Sequence, residues 1–280
     1  GWFWHAGNSP KSMEELTDIY FKSVGRGQPL LLNVAPDNRG RFTQNDINRI
    51  KEFSDAIKNS FDENLAKPEN ATATASSIRG NSSEYSPNNV LDDDDDTYWT
   101  MDDGQTTGSL TINLGGEKTF DVVSIEEYIK LGQRISQFSV EVFTNGQWRE
   151  FGSGYTIGAK RLVRGNEVRA SQIRINIRNS QAVPLIENVE VYKLDNSFEL
   201  KSVVPSGTDF IDNVNFENKN SWTQESIGIG STGMYSSSRG THASFTFTGT
   251  KAWIVGTLDP NHGIMEVYID GVKVADVDTY

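Results

Sequence analysis

The segment Phe138–Phe151, FSVEVFTNGQWREF, constrains this chain more than any other stretch. Apolar and polar residues alternate on both sides of Asn145-Gly146, a dipeptide that accepts a type I′ turn because both residues tolerate positive φ. A period of two around a two-residue turn predicts an antiparallel hairpin with one buried face. Similar alternation recurs in RINI, Arg174–Ile177, and VEVY, Val189–Tyr192. A lone hairpin is marginal in water, so these strands must pair and stack. The reading for Ala71–Lys193 is therefore an antiparallel β-sandwich.

The first sixty residues follow another rule. Ser12-x-x-Glu15 is a capping box, after which Leu16, Ile19, Tyr20 and Val24 recur at helical spacing until Gly25 and Gly27. Thr43-x-x-Asp46 opens a second helical pattern, carried by Ile47, Ile50, Phe53 and Ile57. Between them lies PLLLNV, Pro29–Val34, whose apolar run suits a parallel strand buried on both faces. Helix, buried strand, helix is a slice of an α/β fold. The polar, Pro-containing stretch 63–70 reads as a linker, 194–197 as a short connector, and 198–280 as a further, truncated β-sandwich. Its expected strands are Thr241–Thr248, Ala252–Gly256, Ile264–Ile269 and Val272–Val277, with a turn at Asp270-Gly271. The fold class expected is multidomain and mainly β.

Five consecutive aspartates, Asp92–Asp96, sit between Tyr85 and Trp99. Such a run repels itself unless solvent or a cation neutralises it. Calcium suits an oxygen-rich loop, but the EF-hand template fails: Thr97 stands where the turn glycine belongs and Asp103 where the bidentate glutamate belongs. A solvated acidic loop and a cation site stay open on the residues alone. The net charge of −12 argues against a nucleic-acid partner, and no apolar run approaches a membrane span. With no cysteine there are no disulfides and no thiolate chemistry. The start at Gly1, without methionine or signal peptide, reads as a fragment or processed form.

Two resemblances sharpen this reading. SPNNVLDDDDDTYW resembles the L-D-G-D-x-x-T-x-W loop of discoidin-like, coagulation-factor type C domains, which include the family 32 carbohydrate-binding modules. The likeness runs from ATATASS at Ala71–Ser77 through LTINLG at Leu110–Gly115 to VEVYK at Val189–Lys193. It implies a structural Ca²⁺ with Asp94 as side-chain ligand and Asp92 and Thr97 giving mainly backbone oxygens. The family's late glutamate falls at Asn188, beside Glu187 and Glu190, so Glu187 or Asn188 completes the set.

GWFWH and the following EELTDIYFKSVGRGQPLLLNVAPDNRGRFTQNDINRIKEF resemble the end of the (β/α)₈ barrel of glycoside hydrolase family 29, the α-L-fucosidases, in their α-1,3/1,4 branch. The expected architecture is thus a terminal barrel fragment over 1–62, a discoidin-like sandwich over 71–193, and a second, incomplete sandwich. The resemblance implies an extracellular bacterial, retaining enzyme whose two catalytic carboxyls, roughly 5–5.5 Å apart, lie upstream of this chain. Alone, the chain is expected to be inactive. Trp2 or Trp4 would give the fucose methyl group an apolar wall, with core packing as an equal alternative.

Sugar sites in sandwiches combine an aromatic platform with polar loop donors, which singles out Tyr98, Tyr128, Arg134, Trp148 and Arg161. Tyr128, Arg134 and Arg161 are the carbohydrate-binding assignment, while Trp99 and Trp148 favour packing. EEYIKLGQRI resembles the E-x-I-x-x-G-Q-R segment of the module attached to such fucosidases, where Arg134 could equally face the barrel. The implied partners are fucosylated or galactosylated glycans and the missing upstream portion of the barrel. The rival readings are a glycan adhesin without catalysis and a structural brace without a sugar site.

Overall fold

The computed structural model describes residues 2–198, 217, 222–226, 232–236, 238, 240–247 and 263–278. Its contacts divide the chain into two compact units, 1–201 with 226–231, and 202–225 with 232–280.

In the first unit, α1 spans Met13–Lys22 and α2 spans Gln44–Phe61. The capping box forms as read: Glu15 N donates to Ser12 Oγ at 3.1 Å, and Ser12 N donates to the Glu15 carboxylate at 2.8 Å. Thr43 caps α2 through Asp46 N at 3.2 Å. Between the helices the sequence expectation fails. Leu30–Val34 forms no strand, and Leu31 is 93 % exposed. A strand exists only through the hydrogen bonds of neighbouring strands, and none of the described residues pairs with this one. Residues 2–62 contain helices and turns but no β-ladder.

Seven strands make the sandwich: β1 Thr72–Ala75, β2 Trp99–Thr100, β3 Gly108–Glu127, β4 Ile135–Thr144, β5 Gln147–Gly154, β6 Arg161–Ser180 and β7 Leu185–Tyr192. Their order is β2-β7-β3-β6-β4-β5, with β1 also on β3, and every pairing is antiparallel. β3 and β6 serve both layers. The leading stretch of β3 pairs with β1 and the end of β6; the trailing stretch pairs with β7 and the start of β6. Between these stretches the ladder is broken at Gly115-Gly116, with φ of +72° and +154°. A side chain at Gly115 would also meet Asn70 O at 2.3 Å, so only glycine fits the bend.

Because the sheet turns back on itself, Leu110, Ile112, Ile173 and Ile175 from one layer share a core with Val123, Ile125, Val189 and Val191 from the other. Trp99 is fully enclosed there and donates Nε1–H to Ser77 O at 3.0 Å, the packing role expected for it. Asn145 and Gly146 take φ of +51° and +74°, the predicted hairpin turn between β4 and β5. The outer face of the β7 layer is not wet: Val122, Leu162 and Tyr192 pack against Met13 and Leu16 of α1 and Phe53 and Ala56 of α2. Phe198, placed by sequence in the last module, is buried in this same cluster against Tyr20, Phe21 and Phe61.

The remaining strands are β8 Thr223–Ser226, β9 Thr232–Tyr235, β10 Ile264–Ile269 and β11 Val272–Asp278. β10 and β11 form the expected hairpin, with Asp270 and Gly271 at positive φ. Within Thr241–Thr248 the described residues make a single bridge, Ser244 to Glu217, and Ala252–Gly256 lies outside the described residues. No described helix is long and apolar enough to cross a membrane.

Candidate functional site

The acidic run follows a short 3-10 turn, Pro87–Leu91, and is wound tight by its own carboxylates. Asp92 Oδ1 accepts from Asp94 N at 3.1 Å, and Asp94 Oδ1 accepts from Asp96 N at 3.0 Å. Thr97 closes the curl: its hydroxyl donates to the Asp92 carboxylate at 2.9 Å, and its N–H donates to Asp94 O at 3.1 Å. Asp93 has φ of +59°, a left-handed turn at the place where the resembled loop has glycine. Aspartate tolerates it because its short side chain can satisfy the local backbone.

One cation of the protein sits on this curl. Lys130 Nζ donates to Asp95 O at 2.6 Å and to Asp96 Oδ1 at 2.7 Å. The Lys130 hydrogen bond and charge hold the Asp96 carboxyl below the usual carboxylate range. Glu187, on β7, is pushed the other way, first by burial and then by the charge of Asp95, with Asp96 adding to it and Lys130 opposing. Its neighbour Asn188 shares with Asp93 the wall of a cleft of about 300 Å³ that also contains Asn64, Leu91 and Glu190. The fold thus brings Asp92, Asp94 and Thr97 together and places Glu187 and Asn188 beside the same loop. Among the described residues no three carboxylate or imidazole side chains converge as metal ligands. The oxygens on offer are mixed: carboxylates, carbonyls, a hydroxyl and an amide, the hard donor set that suits calcium.

Next to the loop three tyrosines stack. Tyr98 lies 4.4 Å from Tyr128 and 5.6 Å from Tyr85, centroid to centroid. Arg79 stands over the Tyr85 ring at 5.6 Å and Lys130 over the Tyr128 ring at 5.5 Å, closing both ends with cations. Asn89 ties the stack to its base, donating to Glu84 O and Tyr98 O at 2.8 and 3.2 Å. Tyr128 is thus one end of an aromatic stack beside the acidic loop.

Arg134 and Arg161 are placed differently. Arg134 Nη1 donates to Val183 O at 2.8 Å, tying its loop to the turn before β7. Arg161 is buried, over the Phe138 ring and near Arg26, and the ring contacts of the tyrosine stack do not include it. Trp148 lies under Arg174, 4.2 Å from the guanidinium, and against Phe143. Trp2 is 79 % exposed and Trp4 half-buried.

Glu127 is the residue that sequence reasoning passed over. It is 1 % exposed, and its carboxylate accepts from Arg134 N, Ile135 N and Gly158 N at 2.8, 2.9 and 2.7 Å. Three amide donors are enough to hold a buried carboxylate, and they fix the 128–134 loop against the 155–160 loop. The signal was present: along VVSIEE, inward positions alternate, so Ile125 is followed two residues later by an inward glutamate.

This architecture defines a class. Residues 72–189, which span most of the sandwich, match the F5/8 type C domain. Over 196 residues the chain is 39 % identical to α-L-fucosidase 1 of Arabidopsis thaliana, covering 69 % of this chain and 38 % of the relative. A glycoside hydrolase family 29 fucosidase of Ruminococcus gnavus, solved in complex with fucose, is 46 % identical over 71 % of this chain and 40 % of its own, with a TM-score of 0.66. The chain is thus homologous to α-L-fucosidases of glycoside hydrolase family 29. It spans about two fifths of the length of the relatives it matches.

Proposed function

We propose that this chain is the C-terminal portion of an exo-acting, retaining α-L-fucosidase, acting on terminal α-1,3/1,4-linked fucose. The observation that carries the reading is the homology to α-L-fucosidases over 196 residues, a longer stretch than residues 72–189 that match the F5/8 type C domain. The catalytic carboxylate pair belongs upstream, and alone this chain is inactive. Trp2, Phe3, Leu31 and Leu32 are exposed apolar residues that the upstream barrel would cover, with Trp2 or Trp4 then lining its pocket. A bacterial, extracellular setting goes with this reading.

The sandwich adds a calcium-stabilised glycan-binding module. Asp94 and Asp92, with Thr97, would hold the ion from the loop, and Glu187 or Asn188 would complete it from β7. The winding of the loop gathers its oxygens, and the like-charge strain between Glu187 and Asp95 is of the kind a divalent cation relieves; both support this. Bound calcium supplies charge neutralisation only. The tyrosine stack offers the apolar face of a galactoside or fucoside a platform, with Arg134 on the loop that follows Tyr128 as a donor.

Titration with fucosyl and galactosyl glycosides, with calcium or with chelator, tests the module. Saturable binding that falls at least tenfold in Tyr128→Ala, with melting raised by calcium in both proteins, is expected. Melting indifferent to calcium overturns the metal site. Absence of glycan binding with intact melting favours the brace reading, in which Arg134 and Glu127 only lock the loops. An adhesin without catalysis requires glycan binding and no fucose release by any longer form.

A further inference from the structure

Four charged side chains are buried among the described residues, Asp37, Asp121, Glu127 and Arg161. Three have partners: Asp37 takes Arg39, Asp121 takes Lys193 and the Leu194 amide, and Glu127 takes three amides. Arg161 is the exception. It is 7 % exposed, yet among the described residues no carboxylate lies within ion-pair distance and no hydrogen bond engages its guanidinium. The charge that acts on it is another cation: burial first, and then Arg26, push it down to about 10. An isolated buried charge is costly and persists where something else compensates it.

The surroundings are built around the guanidinium. It lies over the Phe138 ring at 5.9 Å. At Gly154 an added Cβ would fall 2.9 Å from Arg161 Nη2 and 2.9 Å from the Phe138 ring, so the missing side chain makes room for the head group. The backbone of Gly154 is not left-handed, which leaves space rather than conformation as the reason for glycine. None of the Arg161 nitrogens is among the fully enclosed unpartnered atoms, so the stem is covered while the tip reaches the surface. In a chain of net charge −12, two arginines with no carboxylate in ion-pair distance among the described residues form a local positive spot.

We propose that Arg161, with Arg26 beside it, is an oxyanion-binding site that takes the carboxylate or sulfate group of an acidic sugar unit. The planar fork presents parallel N–H donors that match both groups in a bidentate manner, and the low-dielectric bed over Phe138 strengthens the pairing. Arg26, exposed on the 3-10 turn Val24–Arg26, adds charge at the rim. This site shares no residue with the tyrosine stack and stands without the glycosidase reading.

The test is calorimetric titration of this chain at constant ionic strength with four probes: inorganic sulfate, galactose 6-sulfate, methyl glucuronide and neutral methyl galactoside. Saturable binding of the three anions is expected, weakened at least tenfold in Arg161→Met, which keeps the stem over Phe138, and several-fold in Arg26→Ala. Arg161→Lys keeps charge without the fork and should bind weakly. Failure of Arg161→Met to fold leaves the Arg26→Ala and Arg161→Lys comparisons to decide. Unchanged binding in those two variants overturns the site, as does lack of saturation in the parent. Binding of sulfate alone, with the charged sugars excluded, overturns the sugar assignment. Loss of neutral-sugar binding in Tyr128→Ala leaves this outcome untouched, so the two readings fail independently.

Discussion

Glu127 holds two loops with one carboxylate, and its removal should be felt at both. Glu127→Gln keeps the volume but replaces one acceptor oxygen with a donor, leaving buried amides without a partner. A loss of about 1–3 kcal/mol is expected, and about 3–5 kcal/mol for Glu127→Ala, where a cavity is added. Urea unfolding midpoints read the difference; equal stability of parent and Glu127→Gln would contradict the tether. Glu141 gives the pH dependence. Burial opposes its ionisation, but hydrogen bonds from Asn176 and Arg174 prevail and hold it below its ordinary value of 4.5. A depressed folded pKa means that its contribution is present above pH 4.5 and lost as pH falls through the folded value. Acid unfolding of Glu141→Gln should therefore show a shallower stability loss below about pH 4.5 than the parent. Parallel curves would contradict the assignment. At this scale the sequence was partly legible: the acidic loop and Tyr128 were readable by type and spacing. The carbonyl partner of Arg134 and the burial of Arg161 were not, because both depend on chain segments far apart in sequence.

The hairpin β4–β5 is the element most fully written in local sequence, since alternation and turn chemistry agree. Gly146→Ala, placing a Cβ at φ of +74°, should cost about 1–2 kcal/mol, while Asn145→Gly should be nearly neutral. Chemical denaturation of both variants checks this, and a neutral Gly146→Ala would show that the turn relaxes freely. Helices α1 and α2 were equally legible from their caps. Leu30–Val34 was not, for a physical reason. A uniformly apolar run states that both faces want cover, but strand formation needs neighbours to supply the ladder, and here Leu31 stands in solvent. The acidic curl shows the converse: Asp93 adopts a left-handed turn without glycine because the preceding and following carboxylates cap the amides around it.

Across the whole molecule the sandwich is the region whose fold follows from its pattern. Its bend at Gly115-Gly116 and the cover that α1 and α2 give to the β7 layer are tertiary facts without a local signature. The apolar residues Trp2, Phe3, Leu31 and Leu32 mark where further protein is expected to pack. Release of fucose from a Lewis-type trisaccharide, by this chain and by a form extended upstream through a complete barrel, tests the fucosidase reading most directly. Release by the extended form and none by this chain, with or without calcium, is the predicted result. Release by this chain alone, or by neither form while this chain still binds fucosides, would contradict it.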